Sequence, residues 1–191
     1  MLDLTDRPVL VVGGGPVALR KTGQLLACGA RVTVLAPEVD PRFADLPVTI
    51  ERRAFAAGDT DGFRLVLTAT GDRAVDQAVF DEAEAAGLWV NSADDPQRCS
   101  FILPAVHRQG PITIAVSTAG VSPALASWLR AELGALIGPE FATIAAELAA
   151  ERAAVRATGA STEDMDWRPV IEAKLRELGL SPLAPRDGAS S

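Results

Sequence analysis

The 191-residue sequence has no tyrosine, a single histidine (His107), and two cysteines (Cys28 and Cys99); its lysines are confined to Lys21 and Lys174. The missing tyrosine removes the Tyr-Lys proton-transfer pair of short-chain dehydrogenases. One histidine cannot build a multi-His metal site within a chain, and two distant cysteines build neither a disulfide framework nor a cysteine-rich zinc site. Basic residues are outnumbered, 18 against 25 acidic ones, for a formal net charge of −7. That balance argues against a general binder of nucleic acid or anionic membrane, which needs clustered Lys and Arg. No apolar run approaches the ~20 residues of a membrane span, and Met1-Leu2-Asp3-Leu4 opens no signal-peptide pattern. The expected setting is the cytoplasm, with no nucleic-acid and no membrane partner.

What is present is alternation. Pro8-Val9-Leu10-Val11-Val12 is a short Val-rich run closed by Gly13-Gly14-Gly15, which suits a strand buried on both faces of a parallel sheet. A helical stretch follows and stops near Gly29; Arg31-Val32-Thr33-Val34-Leu35 is then a β-branched strand broken by Ala36-Pro37. Strand, glycine turn, helix and strand within about 30 residues make a βαβ unit. Val48–Ile50, Leu65–Thr70 and Leu88–Asn91 continue the strands, with a helix after Asp72, a candidate N-cap. The predicted fold class is α/β, a Rossmann-like doubly wound parallel sheet.

After Asp95-Pro96 the pattern changes. Phe101–Val106 and Ile112–Val116 are extended runs separated by Arg108-Gln109-Gly110-Pro111, which predicts a hairpin. A helix from Pro123 carries Leu125, Leu129, Leu133 and Leu136 and ends at Gly138-Pro139. An Ala-rich helix from Glu140, a polar break at 158–162 and a helix from Pro169 complete the pattern, and residues 185–191 read as a disordered tail. The expected division is a dinucleotide-type domain over 1–111, a connecting and dimerisation segment over 112–139, and a small helical C-terminal domain over 140–191.

Three stretches carry candidate chemistry. Gly13-Gly14-Gly15-Pro16-Val17-Ala18 fits G-x-G-x-x-G/A between a strand and a helix. There Gly13 permits the tight turn, Gly15 admits a pyrophosphate, and Ala18 lets the helix pack closely. The plain alternative is a structural turn that binds nothing. The carboxylate expected to hold a ribose at the end of the second strand is displaced to Glu38, and no Arg directly follows the strand, which favours NAD over NADP. Val90 to Phe101 holds Asp94 and Asp95 at the carboxyl end of a strand, where one carboxylate would serve as general base, or the pair would be an ordinary turn. Ser117 to Pro123 offers hydroxyls and helix-start N–H groups to a carboxylate, or is only a polar loop. His107, Cys28 and Cys99 are read most simply as structural.

Together and in order, these stretches resemble the precorrin-2 dehydrogenase and sirohydrochlorin ferrochelatase family, the siroheme-synthase N-terminal type. The matching segments are VVGGGPVALRK (11–21), RVTVLAP (31–37), TATGD (68–72), VNSADDPQRCSFILPA (90–105) and ITIAVSTAGVSPALASWLR (112–130). The resemblance implies NAD-dependent oxidation of precorrin-2, a tetrapyrrole with eight carboxylate side chains, to sirohydrochlorin. In some members ferrous or cobaltous ion is then a second substrate. It implies Asp94 as the catalytic carboxylate, NAD contacts at Pro16, Val17, Pro37 and Glu38 with Gly13, Gly15 and Thr70, and a homodimer joined through the segment after the dinucleotide domain. Asp95, Ser117, Thr118, Gly120 and Ser122 would border the substrate. Because the chain is acidic and the substrate polyanionic, local cations are needed, and Arg20, Lys21, Arg98, His107, Arg108 and Arg130 are the candidates. The methyltransferase domain fused in some relatives is not expected here, and no dedicated metal cluster is. Two readings of other classes stay open: a chelatase using the fold as scaffold, and an NAD-sensing module without catalysis. Metal insertion without NADH formation would mark the first, and NAD binding without tetrapyrrole binding the second.

Overall fold

The computed structural model describes residues 2–93, 95–163 and 165–181; Asp94 and the expected tail at 185–191 lie outside the described residues. The contacts divide the chain into two units, one through Leu103 and one from Pro104.

The first unit contains β1 (Pro8–Val12), α1 (Pro16–Leu26), β2 (Arg31–Leu35), β3 (Thr49–Glu51), β4 (Leu65–Thr68), α2 (Arg73–Ala85) and β5 (Trp89–Ser92). The strands form one parallel sheet in the order β3-β2-β1-β4-β5. Successive side chains of a strand point to opposite faces, and the sequence is apolar on both. Val9, Val11, Val32, Val34, Leu65 and Leu67 pack with Ala18 and Leu25 of α1, while Leu10, Val12, Leu35, Val66 and Val90 pack with Val79 and Ala83 of α2. The two helices therefore cover opposite faces of a doubly wound sheet. The chain leaves β1 towards β2 and β3 and returns through β4 on the other side of β1. The switch point where Rossmann folds hold ligands thus lies beyond the carboxyl ends of β1 and β4.

Local chemistry sets the ends of these elements. Asp72 caps α2, its carboxylate accepting from the N–H groups of Ala74 and Val75. β4 stops at Thr68, two residues short of the predicted Thr70, because the Thr70 hydroxyl accepts the Asp72 N–H at 3.0 Å and turns the chain. Of the predicted strand over 101–106 only Ala105 and Val106 are strand; 101–104 is irregular chain in which Phe101 and Leu103 pack on the core shared with α1. Phe101 also meets the Trp89 ring edge-on, at a centroid distance of 6.4 Å.

The second unit contains the antiparallel pair β6 (Ala105–Gln109) and β7 (Ile112–Val116), then α3 (Pro123–Ala135), α4 (Pro139–Ala157) and α5 (Arg168–Glu177). The hairpin turn is shorter than predicted. Arg108 and Gln109 remain in the ladder opposite Thr113 and Ile112, since Gly110, with φ of +57°, and Pro111 suffice for a two-residue turn. Among the described residues β6 pairs only with β7, and the contacts place it in this unit, whereas the sequence reading grouped it with the dinucleotide domain. α3 packs on the hairpin through small residues. Ala126 is buried, and a Cβ at Gly134 would lie 2.7 Å from Nδ1 of His107. Lys174 of α5 bridges Glu147 and Glu151 of α4, each at 2.9 Å.

Candidate functional site

The glycine turn is built for close approach. Gly13 follows β1 with φ of +124°, and a Cβ there would lie 2.4 Å from the carbonyl oxygen of Ala69, which follows β4. A Cβ at Gly14 would lie 2.0 Å from the carbonyl oxygen of Glu38. The Gly13 N–H donates to the Leu35 carbonyl at 2.9 Å, and the Gly14 carbonyl accepts the Asp40 N–H at 2.8 Å. The chain segments after β1, β2 and β4 are thereby locked together.

Gly15 differs from both. Its backbone is extended (φ −82°, ψ −175°), a conformation open to any residue, and a Cβ there would meet nothing within 4 Å. Packing inside the protein therefore does not demand glycine at 15. The vacant volume lies where α1 begins, with no side-chain cap and no acidic residue in its first turn. An uncapped helix N-terminus with free space before it suits an anion such as a pyrophosphate.

A cavity of about 690 Å³ adjoins this turn. Of the candidate cofactor residues, Gly13, Gly15, Pro16, Pro37, Glu38 and Thr70 line it and Val17 does not. Val12, Ala54, Phe55 and Val75 give it apolar walls, as an adenosine moiety would need. Glu38 is exposed, and among the described residues no side chain pairs with it. The donor and space requirements of a bound dinucleotide are thus met by the residues present.

The wall formed by Thr70 depends on a buried carboxylate that periodicity could not reveal. Asp76, in the first turn of α2, accepts hydrogen bonds from the hydroxyls of Thr68 and of Thr70, the latter at 2.7 Å. A second hidden acid, Glu82 of α2, accepts from the Thr60 hydroxyl at 2.6 Å and from the N–H groups of Thr60 and Gly58. Burial would raise its pKa, but these hydrogen bonds outweigh that and hold it below the ordinary carboxylate range. The chain between β3 and β4, which supplies Ala54 and Phe55 to the cavity, is anchored there.

The candidate substrate residues fall in both units. Asp94 lies outside the described residues. Arg20 is exposed on α1. Lys21 donates to the Asn91 side-chain oxygen at 2.9 Å, and the Asn91 amide donates to the Phe101 carbonyl at 2.9 Å and to the Cys99 sulfur at 3.3 Å. Asn91 therefore ties α1, β5 and the chain after residue 98 together, a role the sequence reading did not assign. Asp95 and Arg98 form an ion pair, and Arg98, buried, also donates to Gln77 at 2.6 Å. Cys99 lies within 3.3 Å of the Ser92 and Asp95 carbonyl oxygens, and burial pushes its thiol pKa up.

In the second unit, the Nε2 atom of His107 is buried without a hydrogen-bond partner among the described residues. The Ser117–Ser122 loop spends its hydroxyls on itself. Ser117 accepts the Ala119 N–H, Thr118 accepts the Ser122 N–H, and Ser122 caps α3 by accepting from Leu125. Ala119 and Gly120 both have positive φ, 52° and 82°, so Gly120 takes the left-handed conformation more readily than its neighbour. Among the described residues, no three His, Cys, Asp or Glu side chains gather as a metal site, and no single helix is long and apolar enough to cross a membrane.

A doubly wound parallel sheet whose glycine turn, free helix N-terminus and adjoining cavity meet at the switch point defines a Rossmann-type dinucleotide-binding domain. Comparison with known proteins agrees. An NAD(P)-binding family model matches residues 1–105, and a model described as the sirohaem biosynthesis protein central segment matches residues 109–136. The chain belongs to this NAD(P)-binding family. It is 44% identical over 148 residues to a siroheme synthase of Methylococcus capsulatus, covering 75% of this chain and 31% of that one. It is 38% identical over 187 residues to a siroheme synthase of Methylobacillus flagellatus, covering 94% and 40%. The chain thus spans well under half of those relatives. A solved structure titled SirC, precorrin-2 dehydrogenase, matches with a TM-score of 0.72 and 28% identity, over 93% of this chain and 94% of that one.

Proposed function

We propose that this chain oxidises precorrin-2 to sirohydrochlorin with NAD. The observation that carries the reading is the cavity at the switch point, with its vacant volume before α1, in a chain that is alike over nearly its whole length to a precorrin-2 dehydrogenase. When bound, NAD supplies the hydride acceptor for a two-electron oxidation in which the substrate loses one hydride and one proton. The protein's part is to bind, to orient and to take the proton. Gly13 and Gly15 would admit the pyrophosphate to the N–H groups of α1, and Glu38 would hold the ribose. Asp94 is assigned as the base that receives the proton. The substrate's carboxylates need cations, and Arg20, Lys21, Arg108 and Arg130 are assigned to them; Arg98 and His107 would act from the paired and buried positions described above.

The chain is further proposed to act as a homodimer. On α3 Ala126 is buried and Gly134 lies against His107 of the hairpin, while Leu125, Trp128, Leu133 and, just past the helix end, Leu136 remain 40–58% exposed. A second copy of the same segment would cover them. We place the reaction in the cytoplasm, a setting that suits two cysteines outside any disulfide.

The test is anaerobic incubation of the purified chain with precorrin-2 and NAD, following NADH and sirohydrochlorin absorbance together. Both should appear in equal amounts. An Asp94→Asn variant should bind NAD as before and form neither product. Near-wild-type turnover by that variant would remove Asp94 from the mechanism, and no NADH from folded, NAD-binding protein would overturn the dehydrogenase. Ferrous ion added to the same cuvette then reports whether insertion exceeds the spontaneous rate.

A further inference from the structure

We propose that Asp40 sets the preference for NAD over NADP, by holding Arg42 away from the adenosine end of the cavity; the inference rests on the dinucleotide reading above. NADP differs from NAD by a 2′-phosphate, and Rossmann sites accept it with an arginine near the end of the second strand. Arg42 stands seven residues beyond β2 and is such an arginine by position. It is not available. Its Nε donates to Asp40 Oδ1 at 3.0 Å and its Nη2 to Oδ2 at 2.7 Å, a two-pronged pair that uses the guanidinium edge a phosphate would need.

The pair is held in place from both sides. The Asp40 N–H is bound to the Gly14 carbonyl at 2.8 Å, and Asp40 Oδ1 also accepts the Arg42 N–H at 3.0 Å. Phe43, next in the chain, is fully buried in the core and anchors the short 3₁₀ turn Pro41–Asp45. Of the other arginines beside cavity-lining residues in sequence, Arg52, Arg53 and Arg73, Arg53 is occupied in the same way by Asp59 and Glu51. The residues lining the cavity include three carboxylates, Glu38, Asp40 and Asp72, and no basic side chain. A 2′-phosphate would therefore meet the three lining carboxylates with Arg42 and Arg53 already neutralised.

The roles divide accordingly. Glu38, unpaired among the described residues, faces the ribose hydroxyls, while Asp40 withholds the cation. Removing the Asp40 charge should release Arg42 and lessen the negative field in one step.

The experiment is calorimetric titration of the purified full chain with NAD and with NADP, for the wild type, Asp40→Asn, Asp40→Ser and the double variant Asp40→Asn/Arg42→Ala. Serine keeps an acceptor for the Arg42 N–H, so the turn survives if asparagine disturbs it. Both single variants should bind NADP about tenfold more tightly than wild type, a change of ~1.4 kcal/mol, and the double variant should lose that gain. Unchanged NADP affinity in single variants that still bind NAD would overturn the proposal, and so would a gain that persists without Arg42. Wild-type protein that binds neither nucleotide would instead overturn the dinucleotide reading, and this proposal with it.

Discussion

The two units of this chain solve burial in opposite ways. In the first, the central strands are apolar on both faces, and each face has its own helix and its own core. In the second, a two-stranded ladder meets a helix at Ala126 and Gly134, while Leu125, Trp128 and Leu133 of that helix face outward and Leu129 is half-buried. Among the described residues, nearly all buried apolar side chains belong to the first unit, and only Ala126, Ile144 and Leu175 belong to the second. An isolated hairpin is marginal in water, and an exposed helix face adds little to it. The first unit is therefore complete as a binding scaffold. The second leaves Leu125, Trp128, Leu133 and Leu136 exposed, the face that the proposed second copy would cover.

The largest effect should come from the glycine turn, where fold and ligand site can be separated. A Cβ at Gly14 would press on the Glu38 backbone at 2.0 Å, and backbone cannot swing aside as a side chain can. Gly14→Ala should cost about 3 kcal/mol or more, lower the melting midpoint by roughly 10 °C and abolish NAD binding. Gly15→Ser should melt at or above the wild-type temperature, because serine is a better N-cap than glycine and meets no protein atom. It should nonetheless weaken NAD at least about tenfold by filling the vacant volume. Thermal melts beside NAD titrations check both. A Gly15→Ser variant with unaltered NAD affinity would show that the pyrophosphate does not lie there.

That same contrast governs what could be read from the residues alone. The βαβ order, the glycine turn and the Asp72 cap are local, and each is visible as a short run of suitable residue types. The two uses of glycine, close approach at Gly13 and Gly14 against empty space at Gly15, are not visible, because they depend on what lies opposite. Partners distant in sequence stayed hidden for the same reason. Asp76 is unremarkable on α2 until Thr68 and Thr70 are seen to bond to it, and Arg98, read as a cation for substrate, turns out to rest on Gln77 of α2 as well as on Asp95. The leucine stripe of α3 was legible as a stripe, but periodicity does not say which side meets the hairpin. There Ala126 is the buried residue, and Gly134 leaves room for the His107 ring of β6.

A smaller effect should appear in the second unit. Trp128→Glu puts a charge in the middle of the outward apolar face, where Trp128 is 58% exposed and Leu136 55%. If a second copy covers that face, the dimer should weaken by about a hundredfold or more, since central aromatic anchors carry much of an interface's energy. Stability of the first unit and its NAD affinity should stay near wild type. Sedimentation or light scattering across a concentration series reads the change. A wild-type protein that is monomeric throughout the series would break the comparison from the other side, leaving the exposed face without its second copy.

The smallest effect distinguishes how the first unit holds the wall between β3 and β4. Glu82 accepts its hydrogen bonds as a carboxylate, and they hold its folded-state pKa below the ordinary value. A group depressed on folding stabilises above its unfolded pKa, about 4.3 for Glu, and the contribution disappears as pH falls through the lower folded value. Wild-type protein should therefore lose stability below about pH 4.3 partly through Glu82. Glu82→Gln, which cannot titrate, should be less stable at pH 7 by about 1 kcal/mol, with a difference from wild type that narrows as the pH drops. Asp40 and Asp59 are depressed as well, each first by its hydrogen bonds to an arginine, Arg42 and Arg53 respectively. Their acid loss is common to both proteins and cancels in the difference. Denaturant titrations of the pair at pH 7, 5 and 3.5 give the comparison directly. A gap that stays constant across that range would mean that Glu82 anchors the wall by shape rather than by charge.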